Sequence, residues 1–575
     1  PMKLKNFTLA IFSLLSLSMF GLEPSGTLPV MYVNTENGAE IVSKEDYLNA
    51  TYYLDPMGIE GVEAFGSAAE PLATQIKGRG NYTWRDFDKK PYRLKLDAKA
   101  ALLGMNKSKH FALMAHADDN CGFLRNPCGF KISELLGMPW TPKQAPLELV
   151  LNGDYVGLYF LTEIIRIDKD RVNIDEQDDY ATDPEVITGG WIVEIDNYDT
   201  DPHVTLREKG ADEDYDIWFT YKSPEALSTE QEDYLIKQMK GINDGMDDGT
   251  WVNYVDLDIL ARFYVVQEVM DNRESFHGSC YMNKQRGNDE KWNFGPVWDF
   301  GCTMSGIKAF IYDDWNFHQV WIKRMCQNTE FMELVKKHWK EFYSTKYQEL
   351  MTYIIDFATS IREAAKRDAE RWPKYGNPKE MEKADWVKSV IKGKCEWLAQ
   401  QWGGQQQEDP GIPLCAYFID DTQSPWSAVN AYSWRWSTLL LGDWPGTPMQ
   451  PTEIDGRPGW VINFTVPTDQ GLSDMMIIFN DGNGGVPQHQ TPDLTFENGK
   501  VYYRAESGLT DINADRNWTV SNNGYGLEVT AQEPATLTVA DVLGRTLRVN
   551  VSAGTTRLNL APGVYIIDGK KYICK

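Results

Sequence analysis

Positive charge is in short supply: 57 Lys+Arg against 83 Asp+Glu leave the 575-residue chain at a net charge of -26. A chain this acidic repels phosphate backbones, which excludes nucleic acid as a partner. Long apolar runs are lacking as well. The uncharged stretch Phe7 to Phe20 falls short of the ~20 residues that a bilayer-spanning helix needs. It follows Lys3 and Lys5 and reads as the core of an export signal over residues 1–24, with cleavage within Gly21–Thr27. No later segment has the length and apolarity to span a membrane. Cysteine is sparse and scattered (Cys121, Cys128, Cys280, Cys302, Cys326, Cys395, Cys415, Cys574), without the paired C-x-x-C spacing of a zinc site. The even count permits disulfides, but buried free thiols are the favoured reading. The lack of any Cys before Cys121 argues against a lipid anchor near the start.

What the chain does have is an ordinary apolar share of 42% and 20 Trp. Its length suits three or four domains with normal cores. From Tyr47 to about Tyr221, short alternating runs such as PYRLKL, APLELVLNG and GLYFL are punctuated by Gly and Asn turns, which predicts a mostly β lobe. From Tyr234 the period lengthens. Tyr254–Met270 carries apolar residues at helical spacing, with Asp256 and Asp258 where first-turn acids suit the helix dipole. Phe331–Trp372 and Lys383–Trp402 continue the helical pattern. Gly403–Pro413, rich in Gly, Gln and Pro, reads as a linker, and two β-rich segments follow it.

The segments that carry chemistry are RGNYTWRDFDKKPYRLKL (Arg79–Leu96), LLGMNKSKHFALMAHADDNCGFLRN (Leu102–Asn126), LNGDYVGLYFLTE (Leu151–Glu163), GGWIVEID (Gly189–Asp196), ESFHGSCYMNK (Glu274–Lys284) and WNFGPVWDFG (Trp292–Gly301). In this order and spacing they resemble the spore coat protein H (CotH) kinase family over roughly Val30 to Trp402, NGDYVGLY and GPVWDF being the most specific pieces. The resemblance implies an atypical kinase-like domain over residues 30–405, β-rich and then helical, using ATP and Mg²⁺ on a protein Ser or Thr. Phosphoryl transfer needs a cation on the phosphates, metal held by Asp or Asn, and a carboxylate that orients the accepting hydroxyl. By motif match Arg79 and Lys90 face the phosphates, Glu163 pairs with Lys90, and Asp299 holds the metal.

Two positions depart from the family pattern. The usual W-D-x-D has Gly301 in place of its second acid, which implies a missing metal contact. An ungapped match to D-S-F-x-S-x-Y-M puts Glu274 where the catalytic Asp is expected. A Glu has similar basicity but one more methylene, and a misplacement near 1 Å can cost ~10²-fold. Asp271, one helical turn earlier, is the alternative base. His277 and Ser279 stand where related kinases place a metal-binding Asn.

Residues 415–508 resemble a small starch-binding carbohydrate-binding module, in which Y-x-W, a later W-P-G and a strand ending IIFN-x-G recur together. Tyr432 and Trp434 share a strand face by the two-residue period, and Trp444 follows a turn. These three are the expected sugar platforms, with Gln488 or Gln490 as hydroxyl partners; the competing reading makes the aromatics sandwich core. Residues 513–575 resemble the terminal sorting β-sandwich of bacterial type IX secretion substrates, and a structural cap is the plainer reading. The expected architecture is multidomain α+β: a two-lobed kinase-like domain and two small β-sandwiches, exported to the bacterial surface or beyond, with α-glucan as partner. The alternative of a different class is a surface glycan-binding protein whose first domain is a catalytically silent scaffold.

Overall fold

Period-two burial marks three early strands. In β2 (Leu48–Asp55), β3 (Leu72–Gly78) and β4 (Tyr92–Ala100), the side chains of Ala50, Tyr52, Leu54, Thr74, Ile76, Tyr92, Leu94 and Leu96 are buried while most of their neighbours are not. With β1 (Val30–Thr35), β5 (Ser108–Met114), β6 (Gln144–Leu151) and β7 (Asp154–Glu163) these strands close a barrel in the order β1-β2-β3-β4-β5-β7-β6. Its pairs are antiparallel except where β6 runs parallel to β1. The computed structural model describes residues 22–574 apart from 197, 199–200, 210–214, 314–316, 376–379, 408, 437, 473, 485–488, 506–517, 523–526, 532–534, 542–545, 559–562 and 568–569. Most of the expected export signal therefore lies outside the described residues.

A second antiparallel sheet has the order β12-β11-β8-β10-β9, from β8 (Trp191–Asp196), β9 (His203–Arg207), β10 (Asp216–Ser223), β11 (Cys280–Lys284) and β12 (Trp292–Phe294). The helices are α1 (Tyr82–Asp86), α2 (Arg125–Leu135), α3 (Thr229–Asp244), α4 (Leu257–Met270), α5 (Ile322–Met325), α6 (Thr329–Thr345), α7 (Tyr347–Arg371) and α8 (Glu380–Trp402). Local chemistry sets several starts. Ser228 and Gln231 form a reciprocal capping box on α3, and the side chains of Asp256 and Asn328 cap α4 and α6. Along α7 the buried residues Leu350, Met351, Ile354, Ile355, Ala358, Ile361 and Ala365 recur at helical spacing. Its later part packs Ile361, Ala364 and Ala365 on Leu158 and Phe160 of the barrel. There Lys89, 1% exposed, meets Asp368 at 2.7 Å and donates to the Leu158 carbonyl.

The chain divides into two compact units, Pro1–Gly411 with Pro467–Gly471, and Ile412–Val466 with Leu472–Lys575. The second unit holds β13 (Ile412–Asp420), β14 (Asn430–Arg435), β15 (Thr438–Leu439), β16 (Thr447–Pro448), β17 (Gln450–Ile454), β18 (Arg457–Val466), β19 (Met475–Asn480), β20 (Leu494–Thr495) and β21 (Val501–Arg504). One sheet runs β17-β18-β13-β21 and another β15-β14-β19-β20, with β16 also on β14. Leu414, Phe418, Ala431, Ile462, Ile477, Phe479 and Tyr502 form a common core. The remaining strands are β22 (Trp518–Asn522), β23 (Leu527–Ala531), β24 (Ala535–Asp541), β25 (Thr546–Val551), β26 (Gly554–Leu558), β27 (Gly563–Ile567) and β28 (Lys570–Cys574), in the sheets β22-β23-β26 and β25-β24-β27-β28. Among the described residues seven cysteines are free thiols, and no helix is long and apolar enough to cross a membrane.

Candidate functional sites

Helix α4 ends at Asp271, whose φ of 51° turns the chain out of the helix and into the loop that carries Glu274. After β11 and β12 the chain passes through Gly295–Val297 to Trp298, Asp299 and Phe300. Phe300 is fully buried. Its amide donates to Asn126 Oδ1, its ring meets Phe130 edge-on at 6.0 Å, and a Cβ on Gly129 would sit 2.3 Å from it. That glycine lets α2 lie against the ring. Asn272 also holds the loop, donating to the Asp299 carbonyl at 3.2 Å. With its flanks fixed, Asp299 is presented at φ 48° with an exposed side chain.

Three further groups surround it. The Arg79 guanidinium lies over the Trp298 ring at 5.7 Å and donates to Met114 Sδ; burial pulls its pKa down, against the charge of Asp299. Asp118, from AHADDNCGFLRN, has its carboxyl pushed up to about 6, first by burial and then by Asp299 and Asp119. A Cβ at Gly301 would lie 3.1 Å from Asp299 Oδ1 and 3.6 Å from Asp118 Oδ2, so both carboxylates converge over that glycine. Glu274, the third, bonds the Cys302 thiol, whose pKa burial and Glu274 raise. Among the described residues no cluster of three or more acids, His or Cys forms by itself. Two carboxylate oxygens are nevertheless the donor set that fits Mg²⁺, which takes one or two protein carboxylates and completes its shell with phosphate oxygens and water.

The floor beside these groups is one face of the second sheet. Tyr281 of β11 stands opposite Glu194 of β8. Glu194 is buried, bonds Tyr281 and sits 3.0 Å from Lys222; burial and then Asp196 push its carboxyl up to about 7 against that lysine. Asn283 shares the Tyr281 face by the two-residue period and pairs across to Asn293. Both asparagines line a cavity of about 140 Å³ with Met138, Trp140, Ile174 and Phe294, where the Trp140 indole N–H has no partner among the described residues.

Three expectations are corrected by this geometry. Lys90 does not meet Glu163. Its ammonium donates to the Trp84 carbonyl at 2.6 Å, and its own carbonyl accepts from the Tyr159 hydroxyl, four residues before Glu163 on β7 and hence roughly 13 Å along the strand. Glu163, fully buried, finds Arg171 at 4.0 Å and the Lys143 amide at 3.1 Å instead. Asp271 is not placed as a base: at 1% exposure its carboxylate takes Arg273 at 2.7 Å, Lys394 at 3.4 Å and the Ser305 hydroxyl. His277 faces Tyr215 at 3.2 Å. Arg79, Asp299 and Glu274 are thus brought into one neighbourhood, and Lys90, Glu163 and Asp271 are committed elsewhere. Asp118 and Glu194 lie within the motif segments, where residue type alone assigns them no role. The unusual Asp-Asp pair was the available signal for the first.

In the second unit, β14 buries Ala431, Ser433 and Arg435 and turns Tyr432 and Trp434 to the other face. The Tyr432 ring lies 5.4 Å from Trp434 at 38° and 5.4 Å from Trp444 at 72°. Gly446, at φ 88°, permits this arrangement: a Cβ there would strike the Ala431 carbonyl at 2.2 Å. Asn480 and Asn430 tie the same turn down through the carbonyls of Pro445 and Gly446. None of the three rings belongs to the core cluster, whereas Trp460 packs against it. Trp436 leaves the strand at φ 51° and stacks under Arg435 at 3.6 Å. Gln490 is exposed and bridges Asn480; Gln488 lies outside the described residues.

Residues 76–398, more than half of the chain, match the family described as CotH kinase protein. The chain belongs to the CotH kinase family. Among solved structures it is similar to CBMbc (family CBM26) from Eubacterium rectale Amy13K in complex with maltoheptaose, at 17% identity and a TM-score of 0.14, covering 28% of this chain and 85% of that one. It is also similar to HBP35 of Porphyromonas gingivalis, at 11% identity and a TM-score of 0.10, covering 32% and 67%. At those scores neither likeness carries an argument.

Proposed function

We propose that the first unit is an atypical protein kinase that transfers the γ-phosphoryl group of ATP to a Ser or Thr hydroxyl, and that the second unit tethers it to starch or a related α-glucan. The observation that supports this reading most is the convergence of Asp299 and Asp118 over Gly301, with Arg79 and Glu274 beside them, in a chain of the CotH kinase family. Asp118 takes the part that the absent second acid of the loop would have played. Bound Mg²⁺ would neutralise phosphate charge between these carboxylates. Arg79 is the cation on the phosphates in place of Lys90, and Glu274 orients the acceptor. The base enters the cavity lined by Trp140, Asn283 and Asn293, where the free indole N–H and the amides offer both donors and acceptors.

The silent-scaffold reading has one observation in its favour: Glu274 already bonds the Cys302 thiol. Calorimetry of the full chain with ATP separates the two. The kinase reading expects binding only with a divalent metal, lost in Asp299→Ala, together with phosphotransfer that Glu274→Gln stops. Equal binding with and without EDTA, or none, refutes it. Metal-dependent binding without transfer to any protein supports the scaffold.

A further inference from the structure

The loop that carries Glu274 is held by a group more than a hundred residues further along the chain. Lys394, on α8, is 2% exposed at its side chain and lies between two buried acids of α4, Glu268 at 2.9 Å and Asp271 at 3.4 Å. It also donates to the Ala309 carbonyl at 2.6 Å. Glu268 is fully buried and accepts in addition from the Tyr264 hydroxyl and the Ile311 amide. Asp271 is shared with Arg273 and Ser305. Two carboxylates and two cations thus balance in a buried cluster, the condition under which buried charges persist.

This cluster determines where the next residues go. Asp271 takes its left-handed conformation at the helix end. Asn272 then reaches the Asp299 carbonyl and accepts from the Glu274 amide, while the Arg273 amide donates to the Cys302 carbonyl at 3.1 Å. Both halves of the candidate site, Glu274 on one strand of chain and Asp299 on the other, are therefore registered against Asp271, and Asp271 is registered against α8 through Lys394. We propose that Lys394 is a positioning residue: it touches neither nucleotide nor acceptor, and it holds the Glu274 loop at the distance from Asp299 that transfer requires. The role rests on the kinase reading above. Without the ammonium, Asp271 loses its link to α8 and to the Ala309 carbonyl whether or not Glu268 keeps its charge, and the helix end shifts. A displacement near 1 Å at a reacting group costs ~10²-fold.

The test uses the full chain, with radiolabelled ATP and dephosphorylated casein as acceptor. Lys394→Met is expected to lower kcat by ~10²-fold with little change in KM for ATP, and Lys394→Arg to recover most of it. Because Lys394→Met leaves two acids facing one cation, the double variant Glu268→Gln/Lys394→Met removes one charge of each sign. It is expected to melt close to the wild type and still lose kcat. A second readout needs no catalysis: alkylation of Cys302 by iodoacetamide, followed by mass spectrometry, should be at least ~10-fold faster in the double variant, because a shifted loop releases the thiol from Glu274. If the wild type transfers no phosphate, the kinase reading fails while the alkylation rate still reports on the loop. A double variant that alkylates like the wild type, or that retains its kcat, overturns the role.

Discussion

Restoring the acid that this chain lacks at Gly301 tests the two-carboxylate site directly. Gly301 does not occupy the left-handed region, so an L-residue is accepted there without backbone strain, and its Cβ would stand 3.1 Å from Asp299 Oδ1 and 3.6 Å from Asp118 Oδ2. The first contact is tight, but the Asp299 side chain is exposed and can give way by a few tenths of an ångström. An aspartate there adds a third negative charge about 4 Å from two others. Coulomb's law puts each like-charge pair at ~1 kcal/mol in water-like surroundings and ~4 kcal/mol at the dielectric of a protein surface. Asp299 sits near the first limit and the more buried Asp118 nearer the second, so the metal-free protein should lose roughly 2–5 kcal/mol. Gly301→Asn adds the same atoms without the charge and isolates the electrostatic part. At ~2–4 °C per kcal/mol for a domain of 150–250 residues, and less for a larger unit, Gly301→Asp should melt several degrees below Gly301→Asn in EDTA. Mg²⁺ reverses the order, because three carboxylates bind it better than two. The readout is differential scanning calorimetry of wild type, Gly301→Asp and Gly301→Asn with EDTA and with MgCl₂. If the two variants melt alike in both conditions, Asp118 and Asp299 do not converge as described and the metal assignment falls.

Two other predictions concern separate parts of the molecule. Trp434→Ala or Trp444→Ala should weaken starch retardation in a native gel by ~5- to 150-fold, from roughly 1–3 kcal/mol per platform, with the fold intact, whereas Trp460→Ala should lower the melting temperature; the opposite pattern makes the platforms core. Glu194 is held neutral near pH 6 by burial, its pKa raised from 4.5 to about 7. Its contribution is fully present below the unfolded value and is lost as pH rises through about 7, a difference on the order of 3 kcal/mol. Glu194→Gln, which keeps the Tyr281 bond and leaves Lys222 its Asp201 partner at 3.1 Å, should therefore be more stable than wild type at about pH 8 but not at about pH 5. Parallel melting curves at both pH values would refute the burial argument.

Much of this was readable in the chain because it depends on residues close in sequence. The alternation in PYRLKL and GLYFL became barrel strands, and the 3.6-residue spacing around Tyr254–Met270 became a capped helix. The period-two relation of Tyr432 and Trp434 put both rings on one face. Pairings between distant segments were not readable. Lys90 and Glu163 suit each other by charge, yet they lie at different heights on the barrel, so Trp84 and Arg171 take their places. Asp271 and Glu274 are equivalent as bases by residue type. The left-handed turn at the end of α4 sends the first into a buried ion cluster and the second to the edge of the Asp299 site.

The sequence by itself determined the family, the β-rich and helical segments, and the departures at Gly301 and Glu274, since motifs and periodicities are local properties of the chain. Tertiary structure alone decided that Asp118 stands beside Asp299, that Arg79 rather than Lys90 is the cation near them, and that Lys394 lies between Glu268 and Asp271. Those facts depend on which charges share a low-dielectric pocket. Burial makes a charge seek whichever partner the fold brings within a few ångströms, and one-dimensional spacing carries no record of that distance.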